Sequence, residues 1–161
     1  MKIALLIVSD RVFNNEKIDE TIPLFEKYFF NKKYNWFYNV VPDSKYAIKE
    51  AIYSIIKEKN VDLLLTSGGT GFASRDVTPE ATKEVIEREA NSIVEFIRSQ
   101  TGINNKNVYL SRAICGILSN TIILNLPGSP NGALESFKVA EDILLHAILI
   151  LKDNIKDCNK I

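Results

Sequence analysis

The chain has little of several features that would indicate other classes of protein. It contains only two cysteines, Cys115 and Cys158, without a CxxC spacing, so neither a disulfide framework nor a thiolate metal site is expected. Its single histidine, His146, lies in an apolar helical pattern that is typical of a packed side chain rather than a catalytic base. Twenty basic and twenty acidic residues cancel, and no long basic run is present, so nucleic acid is not an expected partner.

Long apolar runs are also lacking. The N-terminal run MKIALLIV is stopped by Ser9 and Asp10, which indicates a buried strand rather than a signal peptide or a membrane span. We therefore expect a cytoplasmic protein that does not contact a membrane. The length of 161 residues fits one domain, which we place at residues 1–152. Residues 153–161 carry little apolar periodicity, and we expect them to form a frayed tail.

Short apolar runs alternate with longer helical patterns along the chain. This alternation predicts βαβ units and an α/β fold with a mostly parallel sheet. The runs at 3–8, 62–66 and 120–126 are apolar on both faces, so we expect them at the centre of a sheet that helices cover on both sides. Strands are predicted at residues 3–8, 35–41, 62–66, 108–112 and 120–126, and helices at about 19–30, 44–59, 79–100 and 131–152.

Polar and glycine-containing stretches follow four of the predicted strands. Ligands of open α/β sheets bind outside the carboxyl ends of the strands, so these stretches are candidates for a site. Each of them alone is ordinary turn or capping chemistry, but four at one sheet edge favour a binding function. They are Ser9-Asp10-Arg11, Pro42-Asp43, residues 66–78 and residues 126–132.

The stretch TSGGTGFASRDVTPEAT, residues 66–82, is the most unusual of the four. Its glycines permit positive φ and a close approach of main-chain N–H groups to a ligand. The loop lacks both the GK[ST] ending of a Walker A sequence and the third glycine of a dinucleotide fingerprint. Thr78 and Pro79 predict a helix start capped by Thr78, and such a helix end attracts anions. The loop therefore suits a phosphate-containing ligand.

Asp76 lies just before this predicted helix and would repel a bound phosphate. Two charges about 4 Å apart repel by ~1 kcal/mol in water and by roughly 4 kcal/mol at an effective dielectric of 20. A divalent cation removes that conflict, since Mg²⁺ prefers one or two carboxylates together with substrate phosphates and water. Asp43 or Asp10 would supply the second carboxylate. Without a ligand, Asp76 would only stabilise the helix N-terminus.

A second helix start is predicted at Ser129-Pro130, where Ser129 can cap the helix. The preceding Gly128 lets the backbone approach a ligand closely. A simple strand-to-helix turn and a binding role fit this segment equally well.

Four ordered motifs identify a family. They are Leu65–Gly71, Arg75–Thr82, Leu110–Arg112 and Asn125–Pro130. Together they closely resemble the MogA/MoaB molybdopterin adenylyltransferases and the equivalent domain of gephyrin, and the similarity runs from Ser9 to about residue 152. The resemblance implies a three-layer α/β/α domain, commonly trimeric, that uses Mg-ATP to adenylylate the terminal phosphate of molybdopterin and releases pyrophosphate. A later step then inserts molybdate, so a downstream molybdate-inserting protein is a candidate partner.

The resemblance also implies roles for individual residues. Asp43 and Asp76 are the expected catalytic pair and the expected Mg²⁺ ligands, with ATP as the co-substrate. Gly68–Gly71 and Pro127–Ser129 would line the phosphates of the nucleotide and the pterin. The full set of expected substrate-binding residues is Asp10, Ser67, Gly68, Gly69, Thr70, Gly71, Arg75, Thr78, Ser111, Arg112, Pro127, Gly128 and Ser129.

The chain departs from the family pattern at two places, and two other functions stay open. Asp19-Glu20-Thr21 stands where Asp-x-Gly is usual, and Ala90–Ile93 replaces the usual Pro-Gly-Phe, which could reshape a helix or one wall of the pterin pocket. One alternative is a molybdopterin-binding or assembly protein without catalysis. The other is a nucleotide hydrolase of the same fold, although the loop of such proteins typically reads GGLG followed by paired aspartates.

Overall fold

The computed structural model describes residues 1–152, so the tail predicted at 153–161 lies outside the described residues. No helix in the described part is both long and apolar enough to cross a membrane. The strands are β1 (Lys2–Val8), β2 (Asn35–Val41), β3 (Leu63–Ser67), β4 (Arg88–Glu89), β5 (Cys115–Leu118) and β6 (Thr121–Leu126). The helices are α1 (Asp10–Phe13), α2 (Thr21–Lys32), α3 (Lys45–Lys59), α4 (Thr78–Lys83), α5 (Ser92–Thr101) and α6 (Pro130–Leu151), with a 3₁₀ helix at Lys106–Leu110.

The strands form one six-stranded sheet in the order β2-β1-β3-β6-β5-β4. Strands β2, β1, β3 and β6 are parallel to one another. The pairs β6–β5 and β5–β4 are antiparallel. The central position of β1, β3 and β6 is confirmed, and Ser67 of β3 pairs with Ile7 of β1 and Leu126 of β6. The carboxyl ends of these three strands therefore meet at one edge of the sheet.

Two hydrophobic cores cover the two faces of the sheet. Alternate residues of β1 enter opposite cores, since Leu5 packs on one face and Leu6 on the other. Helices α2, α5 and α6 cover the first face, where the Phe25 and Phe29 rings pack edge to face with centroids 5.3 Å apart. Helices α3 and α4 cover the second face. The predicted α/β class with a mostly parallel sheet, and the three layers that the resemblance implied, are confirmed.

The helix predicted at 79–100 is wrong, because the chain leaves the helical conformation after Lys83 and forms an edge strand. The backbone amides of Glu87 and Ala90 donate to the carbonyls of Ile117 and Cys115, both at 2.8 Å. The Asn91 side chain accepts a hydrogen bond from the Cys115 amide at 3.1 Å. Pairing with β5 therefore replaces helical hydrogen bonds over this stretch, and α5 begins only afterwards.

The strand predicted at 108–112 is also wrong. A 3₁₀ helix occupies most of this stretch, and none of its residues is buried. The Asn105 side chain starts the turn by accepting a hydrogen bond from the Asn107 amide at 3.0 Å. The strand lies instead at β5, where Cys115 and Gly116 are buried against β6.

Cys115 is a buried free thiol in β5. Burial raises the pKa of Cys115 to about 12, so the thiol stays protonated and unreactive at neutral pH. Cys158 lies outside the described residues.

Asn125 links β3, β6 and α4 through a buried hydrogen-bond network. Its amide nitrogen donates to the hydroxyls of Thr66 and Thr82, both at 2.9 Å. Its carbonyl oxygen accepts from the Ile114 amide at 3.3 Å. Strands β3 and β6 end at the same sheet edge, and α4 follows the loop that leaves β3 there, so the network fixes the relative positions of these three elements.

Asn125→Ala is expected to lower the free energy of unfolding by about 2–4 kcal/mol, because buried polar groups lose their partners. Urea unfolding followed by circular dichroism measures the change. Asn104 is exposed, so Asn104→Ala is the matched control and is expected to change stability by less than about 0.5 kcal/mol. Equal stabilities of the two variants would contradict a structural role of the network.

Candidate functional site

A cavity of about 520 Å³, here called the sheet-edge cavity, opens at the carboxyl ends of β1, β3 and β6. The α1–α2 connection forms a further wall. The residues that line it are Ile7, Val8, Ser9, Asp10, Arg11, Val12, Lys17, Asp19, Glu20, Thr21, Asp43, Ser67, Gly68, Gly69, Arg75, Asp76, Gly128 and Pro130. The strand ends thus bring residues from across the chain into one cavity.

Asp10 and Asp43 hold each other in place. Asp43 Oδ2 accepts a hydrogen bond from the Asp10 amide at 2.8 Å, and Asp10 Oδ1 accepts from the Asp43 amide at 2.9 Å. Neither aspartate caps a helix, because Ser9 and Ser44 occupy the N-cap positions of α1 and α3. The exchange places two carboxylates side by side at the ends of β1 and β2, with one oxygen of each left for other ligands.

In the glycine loop, defined as residues 68–77, the carbonyls of the first four residues are bonded to the protein, whereas the amides of three of these four are free. Thr78 and Arg112 are the donors to its carbonyls. Thr78 Oγ1 donates to the Gly68 carbonyl at 2.8 Å, and the Thr78 amide donates to the Gly69 carbonyl at 3.0 Å. The Arg112 amide donates to the Thr70 carbonyl at 2.8 Å, and Arg112 Nε donates to the Gly71 carbonyl at 2.7 Å. Within residues 1–152, the amides of Gly69, Thr70 and Gly71 have no protein acceptor. Such free amides suit an anionic ligand.

The prediction that Thr78 caps the following helix is wrong. Helix α4 begins at Thr78 itself, with Val77 at the N-cap, and no side chain caps it. The buried Thr78 uses its hydroxyl and its amide to hold the glycine loop, so the loop amides, and not this helix end, are the candidate anion ligands. Ser129 does occupy the N-cap position of α6, but its side chain forms no capping hydrogen bond.

Asp76 lies at the end of the glycine loop and faces the sheet-edge cavity. Its Oδ2 atom accepts a hydrogen bond from the Ala73 amide at 3.0 Å. A Cβ atom on Gly71 would lie 2.9 Å from that oxygen, so a glycine leaves room for the carboxylate. The other oxygen, Oδ1, has no protein donor within the described part of the chain. The structure thus places Asp43 and Asp76 around one cavity, as the sequence predicted.

The charges around the sheet-edge cavity favour a ligand that brings a cation. Five acidic and three basic side chains line it, which leaves two negative charges in excess. None of the basic side chains, Arg11, Lys17 and Arg75, forms an ion pair within residues 1–152. A polyphosphate could bind to these cations, but the excess carboxylates require further positive charge to bind with it.

The donor set fits Mg²⁺ better than a metal that needs a protein cage. No group of three or more histidine, cysteine or acidic side chains that could enclose a metal is present among residues 1–152. Mg²⁺ uses one or two carboxylates and completes its shell with water and substrate phosphates. Asp43 and Asp76, with Asp10 adjacent, provide that number of carboxylates.

The predicted binding residues fall into two groups. Those that line the sheet-edge cavity are Asp10, Ser67, Gly68, Gly69, Arg75 and Gly128. Those that do not line it are Thr70, Gly71, Thr78, Ser111, Arg112, Pro127 and Ser129. In the second group, the Pro127 carbonyl accepts from Ser67 Oγ at 2.9 Å, and Ser111 lines a separate small cavity beside Arg98. Direct contacts of these residues with a substrate stay predictions.

Sequence reasoning noted Asp19-Glu20-Thr21 only as a departure from the family pattern and did not predict that the α1–α2 connection forms a wall of the site. Lys17 and Glu20 line the sheet-edge cavity, as does Asp19, whose Oδ1 atom accepts a hydrogen bond from the Ile22 amide in the first turn of α2 at 2.6 Å. The available signal was the position of this connection, which leaves the carboxyl end of β1. By contrast, the departure at Ala90–Ile93 lies at the start of α5 and does not line the cavity.

Comparisons with known proteins show which family the chain is similar to. The sequence profile of a family described as "Probable molybdopterin binding domain" matches residues 4–146. Molybdopterin adenylyltransferase of Escherichia coli K12 is 34% identical over 92% of this chain and 80% of its own length. Molybdenum cofactor synthesis protein cinnamon of Drosophila melanogaster is 40% identical over 73% of this chain, which spans only 20% of cinnamon. The crystal structure of the molybdopterin biosynthesis enzyme MoaB from Thermus thermophilus superposes with a TM-score of 0.87 at 36% identity, over 94% of this chain and 96% of that one.

Proposed function

The chain belongs to the MogA/MoaB family of molybdopterin-binding domains, and on this basis we propose that it is a molybdopterin adenylyltransferase. One observation carries the proposal: a single cavity combines the free amide of Gly69 with the carboxylates of Asp10, Asp43 and Asp76. Amides suit phosphate oxygens, and the carboxylates suit the cation that accompanies a nucleoside triphosphate.

The proposed reaction joins two phosphates. An oxygen of the terminal phosphate of molybdopterin attacks the α-phosphorus of ATP and forms a new P–O bond. The bond from that phosphorus to the oxygen bridging to the β-phosphate breaks, and pyrophosphate leaves with the electron pair. No covalent intermediate with the protein is needed, so the chain contributes positioning and charge stabilisation.

Two groups of residues around the cavity would bind the phosphates, namely loop amides and basic side chains. The Gly69 amide lines the cavity and would donate to phosphate oxygens, with the free amides of Thr70 and Gly71 next to it in the chain, and the carbonyls of these residues are held by Thr78 and Arg112. Because these donors are fixed before the substrate arrives, little reorganisation accompanies the reaction. Arg11, Lys17 and Arg75 line the same cavity and would supply positive charge to the phosphates.

Asp43 and Asp76 would hold Mg²⁺, with Asp10 supporting Asp43 through the reciprocal hydrogen bonds. Bound Mg²⁺ would neutralise charge on the phosphates and polarise the bond that breaks. The Ala73 amide orients the Asp76 carboxylate, and the Asp10 amide orients that of Asp43.

Incubation of the chain with molybdopterin, ATP and Mg²⁺ tests the proposal. Mass analysis is expected to show a pterin that has gained AMP, with one pyrophosphate released per product. Molybdopterin binding without pyrophosphate release would indicate a non-catalytic binding protein. Steady ATP hydrolysis in the absence of pterin would indicate a nucleotide hydrolase.

Removal of divalent cations by a chelator is expected to lower AMP transfer by about 10²-fold or more, because the charge of the phosphates is no longer offset. Added Mg²⁺ is expected to restore the rate. The unfolding midpoint should not change on chelation, since residues 1–152 contain no metal-enclosing cluster. Full turnover with the chelator present would remove the metal from the mechanism.

Membership of the family also leads us to propose a homotrimer in the cytoplasm. The adenylylated pterin would pass to a downstream protein that inserts molybdate.

A further inference from the structure

Arg112 connects both ends of the exposed part of the glycine loop. Its Nε atom donates to the Gly71 carbonyl at 2.7 Å, and its Nη2 atom donates to the Asp76 carbonyl. Its Nη1 atom pairs with Glu80 on α4. The guanidinium group therefore joins Gly71 and Asp76, which bound the exposed part of the loop, to Glu80 on the helix that follows.

The loop has few other attachments between these two points. The side chains of residues 72–75 are all exposed. The hydrogen bonds within this part join Ala73 to Asp76 in both directions, so they close a turn without anchoring it to the body of the protein. The position of Asp76 relative to the sheet thus depends on the contacts of Arg112, together with those of Thr78 two residues further along the chain.

Arg112 is itself held by a second arginine. Arg98 on α5 donates to the carbonyls of Ser111 and Ala113, at 2.8 and 2.9 Å. These residues flank Arg112, and the Arg112 amide donates to the Thr70 carbonyl at 2.8 Å. Helix α5 is thereby connected to Asp76 through two consecutive arginine contacts.

Each nitrogen of the Arg112 guanidinium group already has a protein acceptor, and Arg112 does not line the sheet-edge cavity. Burial alone would raise the pKa of Glu80, but the hydrogen bond and charge of Arg112 lower it below its usual value, which keeps the ion pair charged at neutral pH. These contacts leave the group poorly placed to bind a substrate phosphate.

We propose that Arg112 is a positioning residue that holds the Asp76 carboxylate at the sheet-edge cavity, and that it does not bind the substrate phosphates. This inference rests on the proposed adenylyl transfer, because it assigns Arg112 a role in placing an acid of that reaction. A shift of about 1 Å in a positioned group can cost roughly 10²-fold in rate.

Arg112→Met removes the donors and keeps much of the side-chain bulk. It is expected to lower kcat by about 10–100-fold and to raise the Mg²⁺ concentration for half-maximal activity about tenfold, with the KM for ATP changed less than about threefold. Arg112→Lys retains a single charged donor, and its kcat and Mg²⁺ requirement are expected to lie between those of Arg112→Met and wild type. Arg88 is exposed on β4, so Arg88→Met is the matched control and should behave as wild type.

Hydrogen exchange provides a readout that does not depend on activity. Exchange of the two hydrogen-bonded amides within residues 71–76, those of Ala73 and Asp76, is expected to become at least about tenfold faster in Arg112→Met and to stay unchanged in Arg88→Met. If wild type shows no AMP transfer, the proposed function fails, whereas exchange still tests the positioning role. If Arg112→Met does not fold, both measurements are made on Arg112→Lys.

Two results would overturn the inference. One is a higher KM for ATP in the Arg112 variants with kcat and the Mg²⁺ requirement unchanged, which is the behaviour of a phosphate ligand. The other is unchanged exchange over residues 71–76, which would show that other contacts hold the loop.

Discussion

Asp76→Asn is expected to lower the rate of AMP transfer by about 10²-fold or more and to leave the fold intact. Asparagine has the same shape, and its carbonyl oxygen can still accept the hydrogen bond from the Ala73 amide. The Asp76 carbonyl that Arg112 binds belongs to the backbone and is unaffected. What is lost is one negative charge at the cavity, and with it one expected ligand of Mg²⁺.

Single-turnover measurement of pyrophosphate release, with ATP and molybdopterin saturating, isolates this effect from substrate binding. Asp142 is exposed on α6 and does not line the sheet-edge cavity, so Asp142→Asn is the matched control. The unfolding midpoints of both variants should agree with wild type within about 2 °C. Turnover by Asp76→Asn close to wild type would exclude this carboxylate from the chemistry.

Burial of strands on both faces made the centre of the sheet predictable. The sequences of β1, β3 and β6 carry apolar residues on both faces, and all three strands are buried along nearly their full length. The stretch 79–100 misled the prediction because its local pattern is helical, whereas the break after Lys83 depends on pairing with a strand some thirty residues later in the chain. The local periodicity of residues 79–100 contains no information about pairing with the distant strand β5.

The composition of the candidate site was predictable for a topological reason. Parallel strands place their carboxyl ends at one edge, so Asp10, Asp43 and Asp76 could be assigned to one cavity without knowledge of the contacts. The hydrogen-bond partners of individual side chains were not predictable in the same way. Thr78 matches a capping pattern but bonds to the Gly68 carbonyl ten residues earlier, and Arg112 acts on a loop about forty residues away. Both depend on the folded geometry.

Gly68→Ala is expected to destabilise the protein by about 2–5 kcal/mol. Gly68 has φ of +110°, a conformation that residues with a Cβ rarely adopt. The added Cβ would lie 2.2 Å from the Val8 carbonyl oxygen, a backbone atom at the end of β1 that cannot move without disturbing the sheet. Three segments meet here, because the Gly68 amide bonds to Leu126 and Gly128 packs against the Gly68 Cα. The glycine is therefore required for close approach of strand ends as well as for the turn.

Urea unfolding tests this expectation against Gly132→Ala in α6. At Gly132 the only contact of an added Cβ below 3 Å is the Ser129 hydroxyl, at 2.5 Å, which can rotate away, and alanine favours a helix over glycine by about 1 kcal/mol. Gly132→Ala should thus be as stable as wild type or more so. A loss below about 1 kcal/mol in Gly68→Ala would show that the ends of β1 and β3 can separate. The loop amides would then be adjustable rather than fixed, and a ligand would have to order them on binding.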